Sequence, residues 1–183
     1  MDLNLTKLAD RDDCALLIID MQEKLIPVIS NADKVLEKTV KLIKFAQIMN
    51  IPIVVTEQQK LGETVSEIKD ILPEIRPISK LNFSCFGSED FVNTLQNLDK
   101  DVLIIAGVEA HICVAQTALQ ATASFKPHVV GDAIGSRSVD DCRSAVDRMR
   151  RSGVILTTTE MLIYELLEKA GTEAFRETLP LVK

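Results

Sequence analysis

The sequence predicts an α/β fold, a three-layer doubly wound open sheet of about six parallel strands with helices on both faces. Three observations carry that prediction. Short, wholly apolar runs recur, Cys14 to Ile19 and Val102 to Gly107 being the clearest, and the first of them stops at Asp20; strands buried on both faces read this way. Stretches of helical spacing with one apolar face lie between the runs. The connections are short, and strands alternating with helices over short loops assemble into a parallel sheet covered on both sides.

Taken in order, Cys14 to Ile19 is the first strand, with Asp20 at its mouth. Asn31-Ala32-Asp33 caps a crossover helix to about Met49, in which Val35, Leu36, Val40, Leu42, Ile43 and Ile48 fall mostly on one face. Pro52 to Thr56 is the second strand, followed by the loop Glu57 to Gly62 and a weak helix near 64–70. Ile75 to Ser79 reads as a short strand that delivers Lys80 into the loop Leu81 to Gly87. Ser88 ahead of Glu89 and Asp90 starts a helix to about Leu98, because its hydroxyl accepts from first-turn N–H groups and acids suit the positive end. The strand Val102 to Gly107 leads into an alanine-rich helix whose first turn holds Cys113. Pro127 to Val130 is a strand ending at Gly131-Asp132, and Val139 to Arg151 a helix closed by Gly153. Val154 to Thr157 and Glu160 to Lys169 are the last strand and helix.

With 183 residues and no internal repeat, a single domain over 1–183 is expected, large enough to bury a full core. At 46% hydrophobic and 26% charged, the chain reads as an ordinary globular protein. Its 27 acids outnumber its 21 lysines and arginines, so a net charge of −6 offers no basic field for nucleic acid, and an aromatic content of 4% offers few stacking platforms. Cys14, Cys85, Cys113 and Cys142 show neither metal-finger pairing nor a disulfide framework, which suits a reducing compartment. No apolar run approaches the roughly 18 residues of a membrane span. Met1 to Lys7 lacks the apolar core of a signal peptide, and a cytoplasmic location is expected.

Chemistry gathers at three positions. Asp20, Lys80 and Cys113 each come directly after a different predicted strand, and in open parallel sheets the ligand crevice lies outside the carboxyl ends of the strands. A lone cysteine usually only packs, and a lone acid or lysine usually faces water. Together they suffice for covalent acyl chemistry: the thiol attacks a carbonyl, the carboxylate takes its proton, and the ammonium holds both anions in place. The positive end of the helix dipole at Cys113 is expected to lower the ordinary thiol pKa of about 8.5 and favour the thiolate near neutral pH.

Further segments agree with these three: Leu16-Leu17-Ile18-Ile19-Asp20-Met21-Gln22, Thr56-Glu57-Gln58, Lys80 with Phe83-Ser84, Gly107-Val108-Glu109-Ala110-His111-Ile112-Cys113-Val114, Asp132-Ala133 with Ser136-Arg137-Ser138, and Thr157-Thr158-Thr159-Glu160-Met161. In this order, spanning about residues 14 to 167, they resemble the isochorismatase-like cysteine hydrolase superfamily, and within it the branch of isochorismatase-domain-containing proteins. The resemblance implies a triad of Asp20, Lys80 and Cys113 and a cis peptide between Val108 and Glu109. It also implies an oxyanion hole formed by the backbone N–H groups of Glu109 and Cys113. Gln22, Gln58, Phe83 and Cys85 are expected to line the substrate pocket. His111 is expected as pocket wall, not base, since residues two apart do not face each other on a helix.

Departures from relatives narrow the chemistry. Nicotinamidases of the same superfamily hold a metal with an Asp-x-His pair and another His beyond the second strand. Here Thr56 to Lys60 contains no histidine, and the chain's two histidines, His111 and His128, lie elsewhere, so neither a metal nor another cofactor is expected. No arginine cluster stands near the predicted mouth to hold the dicarboxylate ring of a true isochorismatase, and Ala110 stands where Thr is usual in this branch. The reading is a metal-independent hydrolase of the amidase type, cleaving a C–N bond in a small molecule through a Cys113 thioester, with Asp20 as acid and base and Lys80 as electrostatic partner. The alternatives are a binding or scaffold protein that keeps the fold without useful turnover, and an isochorismatase-type vinyl ether hydrolase. Met161 to Leu167 is apolar nearly all round, which predicts a homo-oligomer, dimer or higher, unless the tail Gly171 to Lys183 folds back over it.

Overall fold

Continuous apolar runs bury both faces of a strand, and in the computed structural model, which describes residues 8–183, such runs form the centre of one six-stranded sheet. Met1 to Lys7, read above for a signal peptide, lie outside the described residues. The strands are β1 (Cys14–Ile19), β2 (Ile53–Gln58), β3 (Ile78–Lys80), β4 (Val102–Val108), β5 (Lys126–Gly135) and β6 (Ile155–Thr157). Every pair is parallel and the spatial order is β3-β2-β1-β4-β5-β6. Leu16 sits opposite Ile53 on one side and Ile104 on the other, which makes β1 and β4 the centre.

Alternate side chains of these strands feed two cores. Leu16, Ile18, Ile104 and Ala106 pack with α1 (Ala32–Met49) and α6 (Thr159–Leu167), and α7 (Glu173–Val182) lies against both helices. Leu17, Ile19, Leu103 and Ile105 pack on the other face with α3 (Glu89–Leu98), α4 (Ala115–Ala121) and α5 (Val139–Arg151). A short α2 (Ser66–Lys69) follows β2 and buries Ile68. Among the described residues, no helix is long and apolar enough to cross a membrane.

Several boundaries differ from expectation, each for a tertiary reason. β2 runs on through Glu57 and Gln58, expected in a loop, because β3 pairs with Thr56, Glu57 and Gln58. Lys80 is therefore the last residue of β3, opposite Gln58. β5 does not stop at Gly131-Asp132: Ile105 pairs Val129 and Gly107 pairs Ile134, so β5 bulges there and resumes. Asp132 in the bulge turns its carboxylate to the Thr159 N–H and hydroxyl at 2.8 and 3.0 Å, capping α6. Asn31 precedes α1 with φ 58° and makes no side-chain cap bond. Ser88, by contrast, caps α3 through the Phe91 N–H as its sequence indicates. The tail folds back as α7 and covers part of α6, yet Met161 and Tyr164 stay 59% and 44% exposed.

Candidate active site

The sheet order reverses between β1 and β4: β2 and β3 extend one way, β5 and β6 the other. Loops leaving the carboxyl ends of β1 and β4 diverge at such a point and open a crevice. Asp20 leaves β1 and Cys113 follows β4, so the pair stands at the reversal. Asp20 takes φ 51°, its N–H donating to the Thr56 carbonyl at 3.2 Å. The Val108–Glu109 peptide is cis. After it, Ala110–Val114 forms one π-helical turn in which the N–H groups of Ile112 and Val114 both donate to the Glu109 carbonyl, at 3.1 and 3.2 Å. Cys113 lies in this turn, ahead of the α-helix in whose first turn it was expected.

Lys80 starts two strands away from β1 and reaches over the end of β2. Its Nζ stands 2.6 Å from Asp20 Oδ2 and 3.6 Å from Cys113 Sγ, so one ammonium touches both anionic candidates. Thr56, between them on β2, donates its hydroxyl to Asp20 Oδ1 at 2.8 Å. All four side chains are buried. The three residues that the sequence singled out are thus brought together, while Thr56 went unassigned. Its sequence signals are a hydroxyl closing an otherwise apolar strand and its place in the segment Thr56-Glu57-Gln58.

Burial decides the charge state of the sulfur. The Cys113 thiol is pushed up to about 12, first by loss of solvent and then by the Asp20 charge, with Lys80 opposing them. The expected dipole-lowered thiolate is therefore corrected: a second buried anion beside Asp20 costs more than the helix end returns. For Lys80, burial alone would lower the ammonium, but the charge and hydrogen bond of Asp20, with smaller help from Cys113 and Cys85, outweigh it and hold the amine above its usual range. At rest the cluster is an Asp20–Lys80 ion pair beside a neutral thiol.

The remaining predicted residues divide. Gln22 is buried, its amide spent on the strand end: Nε2 donates to the carbonyls of Gln58 and Gly62, and Oε1 accepts from the Gln58 N–H. Gln58 accepts from Lys80 at 2.9 Å and donates to the Leu81 carbonyl at 2.8 Å. Phe83 offers its carbonyl to Lys80 at 3.3 Å while its side chain is exposed. Cys85 is sealed at 0% exposure with its thiol pushed up to about 11 by burial, whereas Cys113 keeps 6%; access separates the two sulfurs more than acidity does. His111 Nδ1 lies 2.9 Å from Ser136 Oγ and 3.8 Å from Glu109 Oε2. The buried Glu109 carboxylate also accepts from the Arg137 N–H at 3.0 Å, a bond that ties the loop after β4 to the end of β5. His128 is buried at β5, its imidazole pKa lowered by burial. Among the described residues, no cluster of three or more His, Cys, Asp or Glu side chains is arranged to hold a metal.

The isochorismatase domain matches residues 14–161. Isochorismatase domain-containing protein 2 of Danio rerio is 36% identical over 166 residues, 88% of this chain and 83% of the relative. The structure of the MAR1 ribonuclease from Caenorhabditis elegans superposes with a TM-score of 0.89 at 34% identity, covering 96% of this chain and 92% of that one. The YcaC gene product of Escherichia coli, described as an octameric hydrolase of unknown specificity, superposes with a TM-score of 0.87 at 30% identity, covering 94% and 91%.

Proposed function

The chain belongs to the isochorismatase family, and we propose that it is a metal-independent cysteine hydrolase that cleaves the C–N bond of a small amide through a Cys113 thioester. The observation that carries this reading is the Lys80 ammonium held 2.6 Å from Asp20 and 3.6 Å from Cys113 in a buried cluster. Cys113 Sγ attacks the carbonyl carbon while Asp20 takes the thiol proton. That transfer keeps the net charge of the buried cluster constant, so the thiol need not ionise alone against burial. The backbone N–H groups of Glu109 and Cys113 receive the oxyanion. As the C–N bond breaks, Asp20 returns the proton to the leaving nitrogen; water then attacks the thioester, Asp20 takes its proton, and the acid departs as Cys113 is reprotonated.

In this reading the exposed Met161 and Tyr164 on α6 meet a further copy of the chain, in keeping with the octameric relative. The ribonuclease activity named for the Caenorhabditis relative is not carried over, because a net charge of −6 gives a phosphate backbone no attraction.

The test is a panel of small amides incubated with the protein, quenched in acid and examined by mass spectrometry for an acyl adduct on Cys113. The expected result is such an adduct, with no adduct and under one per cent of the turnover in Cys113→Ala. That variant places a good helix former at a small site and should fold. Turnover retained in Cys113→Ala would overturn the reading.

A further inference from the structure

The Lys80 ammonium has three protons and five acceptors within reach. Asp20 Oδ2 stands at 2.6 Å, Gln58 Oε1 at 2.9 Å, the carbonyls of Phe83 and Asn82 at 3.3 and 3.4 Å, and Cys113 Sγ at 3.6 Å. The two short bonds take two protons and set the rotation about Cε–Nζ; the third is left to the distant carbonyls and the sulfur. Gln58 is itself unable to turn. Its Nε2 donates to the Leu81 carbonyl at 2.8 Å, and a flipped amide would press an NH2 group against the ammonium. Its backbone is clasped on both sides by Gln22, whose Oε1 accepts from the Gln58 N–H at 2.8 Å and whose Nε2 donates to the Gln58 carbonyl at 3.0 Å. The same Nε2 reaches the Gly62 carbonyl at 2.7 Å.

We propose that Gln58, braced by Gln22, is a positioning residue that orients the Lys80 ammonium so that one N–H is kept for the Cys113 thiolate as it forms. The inference rests on the cysteine hydrolase reading and deepens it. It gives Gln58 a role other than pocket lining, since both ends of its amide are already spent. Neutrality is part of the role. The titratable groups facing the ammonium are Asp20, Cys113 and Cys85, and a glutamine adds a strong acceptor without adding a charge that would compete with the thiolate for Lys80.

Iodoacetamide labelling of Cys113 at pH 8.5, followed by mass spectrometry, tests this on the full chain. Gln58→Glu places a second carboxylate on Lys80 and is expected to slow labelling by about threefold to tenfold. Gln58→Met, close in shape but without an acceptor, is expected to slow it by about threefold, because the released proton turns to the Phe83 and Asn82 carbonyls and draws the ammonium off the sulfur. A purely structural role would loosen the site and speed labelling instead. Wild-type or faster labelling in the variants overturns the proposal, and if Gln58→Glu does not fold, Gln58→Met alone decides. Asp20→Asn serves as the reference. If it alters labelling while the Gln58 variants do not, only the positioning role fails; the cysteine hydrolase reading fails with it only if Cys113→Ala keeps its turnover.

Discussion

Gly107 and Ile19 pair so closely across the two central strands that a Cβ on Gly107 would stand 2.1 Å from the Ile19 carbonyl oxygen. Gly107 also takes φ 120°, which side chains rarely adopt. Ile19 is the residue before Asp20, and Gly107 leads through Val108 into the Cys113 turn, so this contact sets the spacing of the two strand ends that carry the candidate site.

Gly107→Ala is therefore expected to cost more than about 3 kcal/mol or to prevent folding, since neither central strand can move without losing its neighbours. Gly153, at φ 87° with nothing within 4 Å of a built Cβ, is the control, and its alanine variant should lose only about 1 kcal/mol. Thermal denaturation of the two variants checks this; equal melting temperatures would show that the β1–β4 contact relaxes freely.

Asp20→Asn should separate two readouts. The Asp20 charge is one of the forces that raise the Cys113 thiol, so its removal lets the thiolate form at lower pH, and iodoacetamide labelling at pH 8.5 should accelerate by about threefold to tenfold. Turnover should fall by about a hundredfold, because no group is left to take the thiol proton or return it to nitrogen. Labelling and turnover falling together would argue that Asp20 only holds Lys80 in place.

The α6 surface predicts association. Sedimentation at micromolar concentration should give a species heavier than one chain, and Met161→Glu with Tyr164→Glu should reduce it to a single chain, because a charge at each exposed apolar position must be desolvated to rebuild the contact. A wild-type protein that sediments as one chain would show that α7 covers enough of α6 by itself.

The fold class, the central strands and the three candidate residues were legible in the chain because their signals are local. An apolar run buried on both faces marks β1 and β4 wherever they pair, and Ser88 before two acids starts α3 without help from outside. The extent of β2 and β5 was not local: Glu57 and Gln58 became strand only because β3 paired beside them, and β5 resumed past Asp132 because β4 continued alongside. The sequence by itself determined that a carboxylate, an amine and a thiol follow three different strands. Only the tertiary structure decided that Lys80 reaches over the end of β2 to touch both partners, that the Gln22 amide bonds to the Gln58 backbone while the Gln58 side chain accepts from Lys80, and that the sulfur rests as a thiol. Those outcomes depend on strand order, hydrogen-bond closure and loss of solvent, which arise from segments far apart in the chain and leave no mark on any one of them.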